Sequence, residues 1–220
     1  MSISRVVAIV PAYNEEMTLA NVLTVLAESP LLDEVLVVSD GSTDKTVSIA
    51  ESFGVSVLAL KENLGKGGAM REALKKTDQE IVLFVDADLY HFSQEHIEQL
   101  VTPVLEGECG MCVGIRDRGQ IVSRIGRHLP LISGERAMKR EVFARIPAKY
   151  LSGFMVEPAL NFSCKMQGWK ICTTILWGVR LRRKMQKMGV AKGMLGYVSM
   201  VSQQIKAYCL VRIAHLFKQF

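Results

Sequence analysis

The stretch IVLFVDADLYHF, residues 81–92, decides how the whole chain is read. Five apolar residues, Ile81 to Val85, run directly into two carboxylates, Asp86 and Asp88, with only Ala87 between them. A continuous apolar run that ends in polar residues fits a strand buried on both faces. Two like charges one residue apart at the end of such a strand repel each other unless a cation sits beside them. A hard divalent ion such as Mg2+ or Mn2+ takes one or two carboxylates together with phosphate oxygens. The pair therefore suits a metal–diphosphate site. The competing reading is a solvated turn ahead of a helix capped by Ser93.

Working outward, the runs VVAIV (6–10), EVLVVS (34–39) and VSVLAL (55–60) have the same β-branched, apolar character. Segments with helical spacing separate them: Leu19, Val22, Leu23 and Leu26; then Val47, Ala50 and Phe53; then Ala69, Met70, Ala73 and Leu74. A further helix is expected over 93–105. Strand–helix alternation of this period predicts an α/β, Rossmann-like domain with a mostly parallel sheet and helices on both faces. The second half is less regular. It reads as a strand at 110–115, a loop at 116–132, a short helix near 139–145, a helix from about 156 to 167 and a strand at 170–176. The basic link VRLRRKMQKMG then leads to a long helix from about 191 to 218. The expected organisation is one domain over 1–180 and a basic amphipathic helical extension over 181–220.

A chain of 220 residues can bury one sizeable core. Its net charge of +5 conceals an asymmetry: residues 158–220 carry +11 and no acid, while residues 1–157 carry −6. An acidic body with a basic C-terminal part points to an anionic partner on that side. Arg5 precedes a short apolar run that soon turns polar at YNEE, which is not the pattern of a signal peptide. No stretch reaches the 18 or more apolar residues of a membrane span. The five cysteines have no framework spacing. Cys109 and Cys112 form a lone C-x-x-C inside an expected strand, and reduced thiols in a cytoplasmic protein are the default.

In a doubly wound sheet, ligands bind beyond the carboxyl ends of the strands. The polar motifs fall there: PAYNEE (11–16), SDGSTDKT (39–46), ENLGKGGA (62–69) and DADL (86–89) follow the four strands in turn. The glycines of LGKGGA at a helix start, next to Lys66, suit an anion, although the P-loop spacing is missing. The alternative there is a plain loop into a helix. Asp44 is expected to cap the helix after it. Asp40 is left free to accept hydrogen bonds from a base or ribose.

These four motifs resemble the N-terminal signatures of the family 2 glycosyltransferases with the GT-A fold, nearly continuously over 5–89. A looser likeness runs to about 185 through ISGERAMKREVF and GFMVEPALNFSCKMQGWKI. The branch it resembles most is that of the polyprenyl- and dolichyl-phosphate sugar synthases. The resemblance implies that Pro11, Ala12, Tyr13 and Glu15 line a nucleotide pocket, with Glu15 near the ribose and Asp40 facing the base. It implies that Lys66 lies near the base or diphosphate. Asp86 and Asp88 would hold the metal, with Ala87 beside the ribose. Arg136 would sit over a donor or acceptor phosphate; its alternative is a surface residue. Glu157 matches the position of the base that deprotonates the acceptor; its alternative is a carboxylate interacting with a helix N-terminus. Two departures stand out. Ser39 replaces the first of two aspartates that many members carry. The stretch WGVRLRRK also lacks the histidine that several relatives use as a further metal ligand.

The implied function is transfer of a sugar from a UDP- or GDP-sugar to an acceptor, with Mg2+ or Mn2+ on the diphosphate. A polyprenyl or lipid phosphate is the main expectation for the acceptor, and a small soluble acceptor such as a phosphoglycerate is the alternative. A nucleotide-binding module without turnover is the third reading. The basic stretch and the helix after it would either dock on an anionic membrane, at the cytoplasmic face, or pack on the protein's own domain or a second subunit of a homodimer. Nucleic acid is not an expected partner, since no aromatics interleave with the basic residues.

Overall fold

The computed structural model describes residues 5–116, 133–151 and 155–181. In chain order these residues form β1 (Val6–Ala12), α1 (Leu19–Ala27), β2 (Glu34–Ser39), α2 (Thr46–Ser52), β3 (Ser56–Ala59) and α3 (Gly65–Leu74). Next come β4 (Ile81–Phe84), β5 (Leu89–Tyr90), α4 (Gln94–Leu105) and β6 (Met111–Arg116). The remainder are β7 (Arg136–Lys139), α5 (Arg140–Ala144), a 3-10 turn (Ala148–Tyr150), α6 (Val156–Met166), β8 (Ile171–Leu176) and β9 (Arg180–Leu181). The expected helix at 191–218 and the extension beyond residue 181 lie outside the described residues.

The main sheet has the order β3-β2-β1-β4-β7-β6-β8. β1 pairs in parallel with β2 and β4, β2 with β3, and β6 with β8. β7 is antiparallel to both its neighbours, β4 and β6. The sheet is therefore mixed, and its odd strand was not expected from the sequence. RAMK is short, and it opens on an arginine, which reads as surface until its burial is known. β3 is also shorter than VSVLAL suggests. It is the sheet edge, and its residues are only partly buried.

Alternation along a doubly covered strand divides the core into two layers. Val6, Ala8 and Val10 of β1 meet the apolar stripe of α1 (Leu19, Val22, Leu23, Leu26), Ala50 of α2 and the inner face of α4. Val7 and Ile9 point to the other side, against Ala69, Met70, Ala73 and Leu74 of α3, Val142 of α5 and Ala159 and Leu160 of α6. Ser93 starts α4 as expected, with its N–H donating to His96 Nδ1 at 3.1 Å. The other ring nitrogen of His96 lies 3.1 Å from the Trp177 carbonyl and ties α4 to the turn after β8.

Cys109, Cys112 and Cys164 are buried. Burial pushes the Cys109 and Cys112 thiols up to about 12 and Cys164 to about 11, so all three are protonated at neutral pH.

In α3, Gly67 is pressed against the Leu151 carbonyl, and an added Cβ would also meet Val156 at 2.6 Å. Gly67→Ala is expected to cost about 1–3 kcal/mol through overpacking. The melting temperature should fall by roughly 2–4 °C per kcal/mol, measured by circular dichroism on the purified chain.

Candidate active site

The loops after β1 and β2 are tied to each other before they meet any ligand. Asn14, held at φ 56°, accepts the Thr43 N–H at 2.8 Å, and its own N–H donates to Ser42 Oγ at 3.1 Å. The Glu15 N–H donates to Thr46 Oγ1 at 2.9 Å, and the Glu16 N–H to Asp44 Oδ2 at 3.1 Å. Asp44 also accepts the Thr46 N–H at 2.9 Å, a turn contact just ahead of α2, whose N-cap is Lys45 and not the expected Asp44. These contacts leave Tyr13 half exposed at the rim, with Ala12 buried and Pro11 and Glu15 partly buried beside it.

The end of β2 is joined to the next loop in turn. Asp40 is buried, and its Oδ1 accepts the Leu64 N–H at 2.7 Å. Gly41 has φ +74°, and a Cβ there would lie 2.9 Å from the Asn63 nitrogen, so the two loops touch backbone to backbone. The carboxylate expected to face a base thus spends one oxygen on holding the β3–α3 loop. Gly67 and Gly68 of that loop and helix are also buried against protein. Their lack of side chains serves helix packing, whereas the sequence suggested room for a phosphate.

Lys66 leaves the first turn of α3 and reaches Asp86, with Nζ 2.5 Å from Oδ1. Glu157, in the first turn of α6, lies 3.9 Å from the same Nζ. Burial disfavours the Lys66 charge, yet Asp86 and Glu157 outweigh it and raise its pKa. Burial works likewise against the Asp86 carboxylate, and Lys66 outweighs it, so Asp86 stays ionised. Asp88 is different. Burial first, then the charges of Asp86 and Glu15, push its carboxyl up to about 6. Ala87 between them is buried.

Ser133, Gly134 and Glu135 enter β7 directly over this pair. A side chain on Gly134 would overlap the Asp86 carboxylate, so only glycine lets the chain pass there. Glu135 is wholly buried; its Oε2 accepts from Ser133 Oγ at 2.6 Å and lies 3.7 Å from Arg116 Nε. Arg136, expected either over a phosphate or on the surface, is instead a core residue at 1% exposure. Its guanidinium donates to the Ser133 carbonyl and, at 3.4 Å, to Asn161 Oδ1.

The structure therefore gathers Glu15, Lys66, Asp86, Ala87, Asp88 and Glu157 around the carboxyl end of β4, with Tyr13 and Asp40 on the loops alongside. It adds Gly134, Glu135 and Arg116, which the sequence did not single out; SGERA was quoted for its arginine alone. β9 pairs with β5, Leu89 against Leu181, and brings 180–181 back beside the D-x-D. That stretch carries no histidine, and among the described residues no three His, Cys, Asp or Glu side chains gather to hold a metal alone. The donors still fit a hard cation that arrives with phosphate oxygens, because such an ion needs only one or two carboxylates. Asp88, which has no ion-pair partner among the described residues and whose pKa is raised by burial and by the charges of Asp86 and Glu15, is the group such an ion would relieve.

A sequence match to glycosyl transferase family 2 spans residues 7–162, and the chain belongs to that family. It is 29% identical over 188 residues to the glucosyl-3-phosphoglycerate synthase of Petrotoga mobilis, covering 68% of this chain and 57% of that protein. It is 30% identical over 190 residues to the synthase of the same name from Mycobacterium tuberculosis, covering 69% of this chain and 58% of that one. The chain thus spans less than three fifths of these relatives' length. A crystal structure of the M. tuberculosis enzyme, in complex with Mn2+, UDP and glucosyl-3-phosphoglycerate, superposes with a TM-score of 0.76. That pair is 26% identical, and the match covers 94% of this chain and 80% of the other. The GT-A architecture is therefore shared.

A carboxyl whose pKa is higher in the folded than in the unfolded chain binds more protons when folded. Asp88 should thus cost stability above pH 6, with the cost fading as the pH falls towards the unfolded value of 3.8. Asp88→Asn is expected to melt higher than the wild type at pH 7.5, without added metal, and the advantage should shrink on going to pH 4.

Proposed function

We propose that this chain is a glycosyltransferase catalytic domain that moves a sugar from a UDP-sugar to a small phosphorylated hydroxy acid of the phosphoglycerate class. The observation that carries this is Asp88, a carboxylate with no ion-pair partner among the described residues, beside the Lys66–Asp86 ion pair. It sits in a fold shared with an enzyme crystallised with Mn2+, UDP and glucosyl-3-phosphoglycerate. Asp86 and Asp88 would hold Mn2+ or Mg2+. Bound there, the ion would supply positive charge against the diphosphate as it leaves.

The residues of the chain do the rest. Tyr13 and Glu15 bound the pocket for base and ribose, and Asp40 holds its wall. Lys66 offers a second positive charge, partly buried and already oriented by Asp86, to the diphosphate oxygens. As the bond between the anomeric carbon and the diphosphate oxygen breaks, its electron pair stays on the diphosphate. The acceptor oxygen forms the new bond to that carbon, and its proton passes to a Glu157 oxygen. Glu157 lies 3.9 Å from the Lys66 Nζ, in the same cluster as the D-x-D pair.

The basic composition of residues 158–220 favours a second reading, in which the acceptor is a lipid phosphate presented by an anionic membrane. Among the described residues no helix is long and apolar enough to cross a membrane. Incubation of the chain with UDP-glucose and Mn2+, with 3-phosphoglycerate or with polyprenyl phosphate in anionic vesicles, separates the two. Transfer to 3-phosphoglycerate is the expected result; transfer only to the vesicle-borne phosphate overturns the small-acceptor reading. Asp88→Ala should abolish turnover in either case.

Gly134→Ala should weaken Mn2+-dependent UDP binding by ~10–100-fold, the usual effect of disturbing what holds a metal ligand in place. Isothermal titration calorimetry reads this directly. An unchanged affinity would mean that the Asp86 position is unimportant to the metal.

A further inference from the structure

Three cations act on Asp86: Lys66, Arg116 and Arg136. They differ in what hydrogen-bonding capacity remains. Lys66 is held by Asp86 itself at 2.5 Å. Arg136 is sealed in the core on the Ser133 carbonyl and Asn161. Arg116 is the exception. Its side chain is 16% exposed, and the Glu135 carboxylate lies 3.7 Å from its Nε, beyond hydrogen-bond length. Among the described residues its Nη1 is buried without a hydrogen-bond partner, and so is Oε1 of Glu135. A guanidinium nitrogen left in that condition is costly unless something else completes it.

The topology says which substrate could do so. β7 is antiparallel to β4, and β6 is antiparallel to β7, so β6 runs parallel to β4. The last residue of β6, Arg116, therefore emerges at the same edge of the sheet as Asp86 and Asp88. The loops of β1, β2 and β3 occupy the other half of that edge, where the base and ribose would lie. Arg116 stands on the far side of β7, across the carboxylate pair from those loops. The planar guanidinium fork matches a carboxylate or a phosphate with two parallel hydrogen bonds.

Glu135 is placed to aim that fork. Its backbone carbonyl accepts the Gly114 N–H at 2.9 Å, and its carboxylate is pinned by Ser133 Oγ at 2.6 Å. It faces Arg116 without accepting a hydrogen bond from it.

We propose that Arg116 receives the acidic group of the acceptor, a carboxylate or phosphate, and that Glu135 is the residue that positions it. The inference deepens the transferase reading and rests on it for the location of the donor.

The test is calorimetric titration of 3-phosphoglycerate, with inorganic phosphate as a second probe, into the full chain with and without UDP and Mn2+. Arg116→Gln should weaken 3-phosphoglycerate binding by roughly tenfold or more, and Arg116→Lys by less, while UDP–Mn2+ affinity is unchanged. Glu135→Gln should raise the KM for 3-phosphoglycerate several-fold at nearly constant kcat. The double variant Arg116→Gln/Glu135→Gln removes both buried charges, so it guards against a single variant that fails to fold. It should lose no more acceptor affinity than Arg116→Gln alone, because Glu135 acts through Arg116.

Undiminished 3-phosphoglycerate binding in Arg116→Gln overturns the proposal. So does a parallel loss of UDP–Mn2+ affinity, which would assign Arg116 to the donor. A wild type that binds UDP–Mn2+ but neither acid probe also overturns it, and leaves the donor reading standing. A wild type that binds 3-phosphoglycerate but no UDP–Mn2+ would sink the donor reading instead, and the nucleotide-free titration would still judge Arg116.

Discussion

The ion pair between Lys66 and Asp86 is the contact on which the rest of the site depends. A carboxylate buried at the end of a β-strand is expensive unless it is paired. Pairing it with a lysine from the first turn of α3 fixes the distance between that helix and the strand. Gly67, one residue on, closes the same helix against the Leu151 carbonyl. Gly134 closes β7 over the other side of Asp86. The aspartate is thus held from three directions, and Asp88 takes the consequence: burial first, and then the charge of this neighbour, push its carboxyl up to about 6.

A division of labour between two carboxylates follows. One is neutralised inside the protein and serves as a fixed point. The other has no ion-pair partner among the described residues and is the one a cation would satisfy. The same logic applies to the arginines, where Arg136 is consumed by the core and Arg116 is not. Identical residue types in one site carry different tasks, and it is their hydrogen-bond partners that separate them.

Much of the nucleotide half was legible in the sequence. Apolar runs of strand length ending in PAYNEE, SDGST and DADL could hardly be anything but parallel strands with polar loops at one edge, and β1, β2 and β4 lie where those runs do. The half of the site built by β6 and β7 was not legible, for physical reasons. β7 has only four residues, and its Arg136 looks like a surface group until Asn161 and the Ser133 carbonyl are brought to it from elsewhere. Glu135 and Arg116 carry no motif of their own; they become a pair only when β6 and β7 lie side by side. The glycines of LGKGGA were read as an anion cradle because their sequence allows it, and packing by Leu151 and Leu64 uses them otherwise. The branch resemblance went to polyprenyl-phosphate enzymes on shared donor motifs, which say little about the acceptor, whereas the relatives matched over two thirds of the chain include glucosyl-3-phosphoglycerate synthases.

The reversed strand also bears on how the molecule comes into being. β4 and β6 are consecutive strands of the main sheet along the chain, yet they never touch, because β7 is threaded between them from about fifty residues past β4. During synthesis the growing polypeptide therefore carries an open, apolar strand edge at residues 81–84 until residue 139 has appeared. Unpaired edges of that kind invite wrong partners. The donor-side layers can fold early, but β4 gains its second neighbour only when the segment bearing Gly134, Glu135 and Arg136 arrives, so the strand that covers Asp86 is the one that removes the hazard.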